Sequence, residues 1–232
     1  MTAATRVPHP YYPLDLVLDN YVPNTNSMKE TLTILFSTFG VITVGALVLA
    51  HGKRHSTLKG FASQSTFLWF TMCGFIHFFL EGYWGINHAN IAADQTVFGQ
   101  IWKEYSLSDS RYLSNDSFIL IMENITAFAW GPLSFYTAWA MYNNKPGRHI
   151  TQLIVSLGQF YGCVLYYLTT MVEGSPHCDP HPYYYYFYFG FMNIFWMIVP
   201  LILLHNSIKT IYRAMKASLA AEAAGTKHKK SK

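Results

Sequence analysis

The sequence predicts an all-α polytopic membrane protein, a bundle of five transmembrane helices. Three observations carry that prediction. First, 51% of the 232 residues are hydrophobic and only 12% are charged, about half the charged fraction of roughly 25% in soluble domains. Second, five segments reach the roughly 20 mostly apolar residues that a bilayer core demands. Third, Lys and Arg gather on alternate connections between those segments. The composition speaks against a soluble globule, because 17 Phe, 17 Tyr and 6 Trp cannot be hidden behind 16 basic and 12 acidic residues. It also speaks against a nucleic-acid binder, since the net charge is only +4 and the excess lies in the C-terminal tail. Cys73, Cys163 and Cys178 cannot all pair, so no disulfide framework is implied.

Residues 1–30 form a segment ahead of the first span. It lacks a basic region followed by an apolar stretch, so no cleaved signal peptide is visible. The first span, Leu32–Ala50, carries no charge. The second, Ser65–Ile86, contains His77 and Glu81, and the third, Phe118–Tyr142, contains Glu123. The fourth, Ile150–Val172, is uncharged, and the fifth, Tyr183–His205, holds Asn193 near its middle. Charged stretches at His51–Lys59 and Lys103–Asp116 separate the first three spans. Pro146 and Gly147 break the chain after the third, and Gly174, Pro176, Pro180 and Pro182 break it after the fourth. Pro132 and Pro200 are expected to kink the third and fifth spans. The run Tyr183–Phe189 reads as an aromatic belt at the lipid boundary.

Twelve of the sixteen basic residues fall on the first connection, the third connection and the tail. The tail, 207–232, is therefore expected to be cytoplasmic and the N-terminus lumenal. The tail closes with Lys229, Lys230, Ser231 and Lys232. Lysines at the third and fourth positions from the end resemble a dilysine retrieval signal of the endoplasmic reticulum. A solvated basic tail beside anionic lipid is the other reading, and both stay open. Asn115 and Asn124 sit in glycosylation-like triplets. The second lies inside a span and the first at its mouth, so neither is expected to be modified.

The informative residues are the polar ones where polarity is costly. An ionisable side chain at mid-membrane costs on the order of 3 kcal/mol. His77 and Glu81 are four apart and share a helix face; Glu123 and Thr126, and likewise Asn193 and Trp196, are three apart and share theirs. If the three stripes converge, they enclose one site with two carboxyls, an imidazole, a hydroxyl, an amide and an indole. Taken alone, Asn193 reads as interhelical glue and Thr126 as bonded back to its own helix. Two intramembrane carboxyls with a histidine read as function, because a buried carboxyl is a proton donor and a neighbouring imidazole can relay the proton. Trp196 offers a face for a cation. His177, Cys178, Asp179 and His181 offer metal-ligand types in one loop, but their spacing is irregular and no metal site is assigned.

No nucleophile–base pair, phosphate cradle or redox ligand set accompanies these groups. Proton donation and abstraction in an apolar chamber suits the shift of a carbon–carbon double bond in a lipid. Protonating the alkene makes a carbocation, which water would trap, and fixed negative charge with an indole face would stabilise it. A proton-coupled transporter is disfavoured, because five unequal spans show no paired halves.

The stretches His9–Asn24 (HPYYPLDLVLDNYVPN), Cys73–Tyr83 (CGFIHFFLEGY), Trp102–Tyr112 (WKEYSLSDSRY), Met122–Ser134 (MENITAFAWGPLS), Gln152–Gly162 (QLIVSLGQFYG) and Tyr186–Trp196 (YFYFGFMNIFW) span most of the chain. They resemble the emopamil-binding-protein family of sterol 8,7-isomerases, within the EXPERA and sigma-2-receptor-like group. The resemblance implies a five-helix membrane fold in the endoplasmic reticulum or nuclear envelope, with the EXPERA-like module at about 61–206. It implies transfer of the sterol B-ring double bond from the 8,9 to the 7,8 position in cholesterol synthesis, with no cofactor. It maps the family's required residues onto His77, Glu81, Glu123, Thr126, Asn193 and Trp196. A further motif falls on Tyr105, Asp109, Arg111 and Tyr112, whose favoured reading is a loop-ordering ion pair and aromatic cluster. The resemblance also implies binding of zymosterol-like 8-ene sterols and cationic amphiphilic amines, pairing with 7-dehydrocholesterol reductase, and a homodimer. Under it, His77 and Glu81 manage the two protons, Glu123 and Trp196 stabilise the cation, and Asn193 and Thr126 orient the ligand and the carboxyls. A non-catalytic sterol or amine receptor of the sigma-2 type would keep the cavity with fewer carboxyls.

Overall fold

A computed structural model describes residues 7–230, and within these every regular element is helical. Helix α1 runs Met28–Gly52. A second rod joins α2 (Gly60–Phe75), a π-helical turn (Ile76–Glu81) and α3 (Gly82–Asn87). The short α4, Val97–Tyr105, follows. A third rod joins α5 (Ser117–Ile125), a π-helical turn (Thr126–Trp130) and α6 (Gly131–Tyr142). Then come α7, Arg148–Val172, and a last rod that opens with π-helical Tyr183–Phe191 and continues as α8, Met192–Lys230.

Helix starts follow from local chemistry. Ser27 and Glu30 form a reciprocal capping box on α1, with the Glu30 carboxylate accepting from the Ser27 amide at 2.8 Å. Thr96 caps α4 and Asp116 caps α5. Among the described residues, four helices are long and apolar enough to cross a membrane: Met28–Gly52, Ser117–Tyr142, Arg148–Val172 and Tyr183–Ala224. The rod that carries His77 and Glu81 is not among them. The last helix runs well past the expected span end at His205, and the terminal basic group lies at the edge of the description: Ser231 and Lys232 fall outside it, as do the side chains of Lys229 and Lys230.

Rod α7 packs along α8, α2 along α6, and α1 leans on α2 and α4. Two apolar clusters hold the bundle. One gathers Trp84, Trp102, Tyr112, Tyr166 and Phe189, and extends to Tyr11 and Tyr21 of the N-terminal segment. The other gathers Ala46, Leu58, Phe70, Met141, Val155 and Leu203. The two π turns in the second and third rods cross closely at Gly131, where a Cβ would stand 3.0 Å from the backbone nitrogen of Phe78. A side chain there would press on the Phe78 backbone.

The charged connection 103–116 is not a solvated loop. Lys103, Asp109, Arg111 and Tyr112 are all buried. The Lys103 ammonium donates to the Val22 carbonyl at 2.8 Å, and Arg111 pairs with Asp109 at 2.6 Å. Arg111 also donates to Thr169 and Thr170 at the end of α7. Burial opposes the Arg111 charge, but the Asp109 carboxylate more than offsets it and the guanidinium is held above its ordinary range. The connection thus folds as a cap over one end of the bundle. The Tyr183–Phe189 run also departs from a simple lipid belt. Tyr186 and Phe187 are exposed, while Tyr188 and Phe189 are buried and the Tyr188 hydroxyl donates to Glu104 at 3.1 Å.

Candidate active site

Between the two clusters lies a cavity of about 520 Å³, within the range of small-molecule sites. Its walls are mainly apolar, with Leu32, Leu35, Leu68, Met72 and Leu80 among them. His77, Glu81, Glu123, Thr126, Asn193 and Trp196 all line it. Residues from three separate rods therefore meet at one space. Each of those rods has a π-helical stretch at or beside its site residues. Such irregular turns often accompany functional sites, because they re-aim side chains without breaking the helix.

His77 and Glu81 lie on the first π turn. The imidazole Nδ1 is 2.8 Å from Glu81 Oε2, and their side chains are 3% and 13% exposed. The other ring nitrogen, Nε2, is 3.0 Å from Nε2 of Gln159 on α7. Both nitrogens of His77 are thus engaged by protein, and the imidazole reaches the cavity through Glu81 and through its ring face. That face meets the Trp196 indole at a centroid distance of 5.0 Å, and Trp196 in turn meets Trp69 at 5.0 Å. Three rings stand along one wall, a surface suited to positive charge.

Glu123 is buried on the third rod, and its Oε1 accepts from the Tyr112 hydroxyl at 2.5 Å. Tyr112 is fixed in turn. Its ring stacks on Trp102 at 5.1 Å, and its carbonyl accepts from the Trp84 indole at 2.9 Å. The Asn193 amide donates to the Phe189 carbonyl at 2.9 Å and meets the Tyr105 hydroxyl at 3.1 Å. The Thr126 hydroxyl donates to the Met122 carbonyl at 2.8 Å. Its polar atom is satisfied by its own helix while its side chain lines the cavity.

The second motif divides. Tyr105 and Tyr112 line the cavity and touch Asn193 and Glu123. Asp109 and Arg111 sit behind them, outside the lining, and tie the cap to α7. Gln159, Trp69, Tyr166 and Glu104 also line the cavity, and sequence reasoning missed them. Gln159 and Tyr166 are neutral groups in an apolar run, and only their spacing from Cys163 on one helix face hints at a shared surface. Glu104 was passed over as part of a charged connection. It is buried, which pushes its carboxyl above the ordinary range. Among the described residues, no three His, Cys, Asp or Glu side chains are grouped as metal ligands. In the candidate metal loop, His177 pairs with Ser110 at 2.8 Å and Asp179 accepts from the His181 amide.

The chain belongs to the EXPERA family. The family model described as EXPERA, the expanded EBP superfamily, matches residues 97–207. The chain is 40% identical to a 3-beta-hydroxysteroid-Delta(8),Delta(7)-isomerase of Cavia porcellus, covering 93% of this chain and 94% of the relative. It is 42% identical to the protein of that name in Mus musculus, covering 92% and 93%. It is 31% identical to a protoglabretal synthase of Ailanthus altissima, covering 89% and 93%.

Proposed function

We propose that this protein is an intramolecular isomerase that moves the B-ring double bond of a 3β-hydroxysterol from the 8,9 to the 7,8 position. The observation that carries the reading is the meeting of Glu81, His77, Glu123 and Trp196 on one apolar chamber. Near-full-length similarity to two isomerases of that name supports it. The chemistry is balanced without a redox partner. A proton adds to C9 of the 8-ene, a cation forms at C8, and a proton leaves C7 to close the 7,8 bond.

The His77–Glu81 pair handles the two protons. Glu81 is the member with an oxygen free to face the sterol, since its Oε2 is held by His77 at 2.8 Å. His77 holds the carboxyl in place from behind. Glu123, oriented by Tyr112, places negative charge across the chamber, and the Trp196 and Trp69 faces cover the developing cation. The apolar walls exclude water that would otherwise trap it. Asn193, fixed by Tyr105, and Thr126 shape the ligand position. A tertiary amine mimics the C8 cation and takes the same place.

The second rod is the fifth membrane span. It runs without interruption from Gly60 to Asn87, roughly 40 Å at 1.5 Å per residue, and its shortfall in hydropathy comes from the catalytic residues themselves. With five spans, the distribution of Lys and Arg puts the N-terminal segment in the lumen and the tail in the cytoplasm. Residues 1–30, 31–206 and 207–232 are then the lumenal segment, the catalytic bundle and the tail. The endoplasmic reticulum membrane, a homodimer and association with 7-dehydrocholesterol reductase complete the reading by family resemblance. The test is a sterol assay. Purified protein in lipid vesicles, given an 8-ene sterol and no nucleotide, should yield the 7-ene. Recovery of unchanged 8-ene under conditions where the protein still binds a tertiary amine would reduce it to a receptor.

A further inference from the structure

The residue that meets His77 from behind carries no charge, and composition gives no reason to notice it. Gln159 sits on α7, the rod that contributes neither carboxyl to the chamber, and is 6% exposed. Its Nε2 lies 3.0 Å from His77 Nε2, while its Oε1 is buried with no hydrogen-bond partner. An amide nitrogen only donates. In this arrangement the facing ring nitrogen is therefore bare, the ring proton is on Nδ1, and Glu81 Oε2 accepts it at 2.8 Å. The amide orientation and the position of the ring proton are one choice.

We propose that Gln159 is a positioning residue for the isomerisation, acting through His77, and that its amide presents either end to the imidazole to match the protonation of the His77–Glu81 pair. With Glu81 ionised and His77 neutral, the amide donates to Nε2, as observed. When the pair holds one more proton, Nε2 carries a hydrogen, and a half-turn of the amide brings Oε1 round to accept it. No partner holds Oε1 in its present place, so the half-turn gives up only the amide's contact with the buried Cys73 thiol. A glutamine serves both states without adding charge. A leucine serves neither, and a glutamate serves only the protonated ring. The pair can then gain and give up a proton within a site that admits little water. The inference rests on the proposed role of His77 and Glu81 as the groups that handle the protons.

The test uses the full-length chain in vesicles, with Gln159→Leu and Gln159→Glu. Gln159→Leu should lower kcat roughly ten- to hundredfold, the scale of a lost hydrogen bond to an ionising group, with KM and tertiary-amine affinity within twofold. Gln159→Glu should also lower kcat, since it cannot present an amide donor to the bare ring nitrogen. The nitrogen-15 spectrum of labelled histidine should show a bare Nε2 in the parent chain at neutral pH and a redistributed proton in Gln159→Leu. An unchanged kcat and pH profile in Gln159→Leu would overturn the proposal. So would loss of kcat in step with loss of amine binding, which marks a purely structural role. If the parent chain converted no sterol, the isomerase reading would fall, while the nitrogen-15 comparison would still decide the tautomer claim.

Discussion

Tyr112→Phe isolates one hydrogen bond at the centre of the site. The substitution removes the hydroxyl that donates to Glu123 Oε1 at 2.5 Å. It keeps the ring that stacks on Trp102 and the carbonyl that accepts from Trp84, so the cap is expected to fold. Hydrogen bonds to charged groups are worth about 1.5–3 kcal/mol. Glu123 is buried and this hydroxyl is the donor that reaches it in the structure, so the loss falls on the anionic form of the carboxyl. If that anion faces the sterol cation, the barrier rises by a similar amount, which is a roughly 10- to 150-fold fall in kcat/KM. The affinity of a tertiary amine, which needs the same anion, should fall in parallel. Turnover is read by gas chromatography of the 7-ene product and affinity by displacement of a labelled amine. A variant with both quantities within twofold of the parent would refute the coupling of Tyr112 to Glu123 as the source of negative charge.

Glu123→Gln should abolish most turnover and weaken tertiary-amine binding at least tenfold; amine affinity that survives intact would remove Glu123 as the counter-ion. Gly131→Ala should lower the thermal midpoint in detergent by the cost of overpacking, about 1–3 kcal/mol, since the new Cβ would press on the Phe78 backbone at 3.0 Å. An unshifted midpoint would show that the two π turns are not in tight contact. Burial lowers the Lys103 ammonium to about 8, against a partial pull upward from Asp94. Between pH 8 and the ordinary lysine value of about 10.4, the unfolded chain holds more protons than the folded one, so stability should rise with pH across that window. The gain should be on the order of 2 kcal/mol once the shift is discounted for screening. Lys103→Met should flatten the rise, and a slope equal to that of the parent would contradict the assignment.

Much of this architecture can be read in the sequence because a bilayer permits few solutions. The expected spans Phe118–Tyr142 and Ile150–Val172 fall within helices Ser117–Tyr142 and Arg148–Val172. His77, Glu81 and Glu123 stood out because ionisable groups in apolar runs demand a cause, and they do line one cavity. Their partners were illegible for a different reason. Gln159 is neutral and 82 positions from His77, so neither cost nor spacing marks it. The ion pair and aromatic cluster of the cap were legible, but not its anchoring to the rest of the bundle, because those pairings are distant in the chain. Lys103 reaches Val22, Glu104 reaches Tyr188 and Arg111 reaches Thr169. The π turns carry no residue pattern of their own; they reflect tertiary crossings such as Phe78 over Gly131.

The central claim is that this chamber protonates an alkene and then takes a proton from the neighbouring carbon. The most direct measurement is turnover of an 8-ene sterol in deuterated water, with the 7-ene product analysed by mass and by carbon-13 resonance. The account predicts one deuterium at C9 and none at C7, whose vinyl hydrogen is one of the two that the substrate carried there. A 7-ene product free of deuterium at C9 would contradict it.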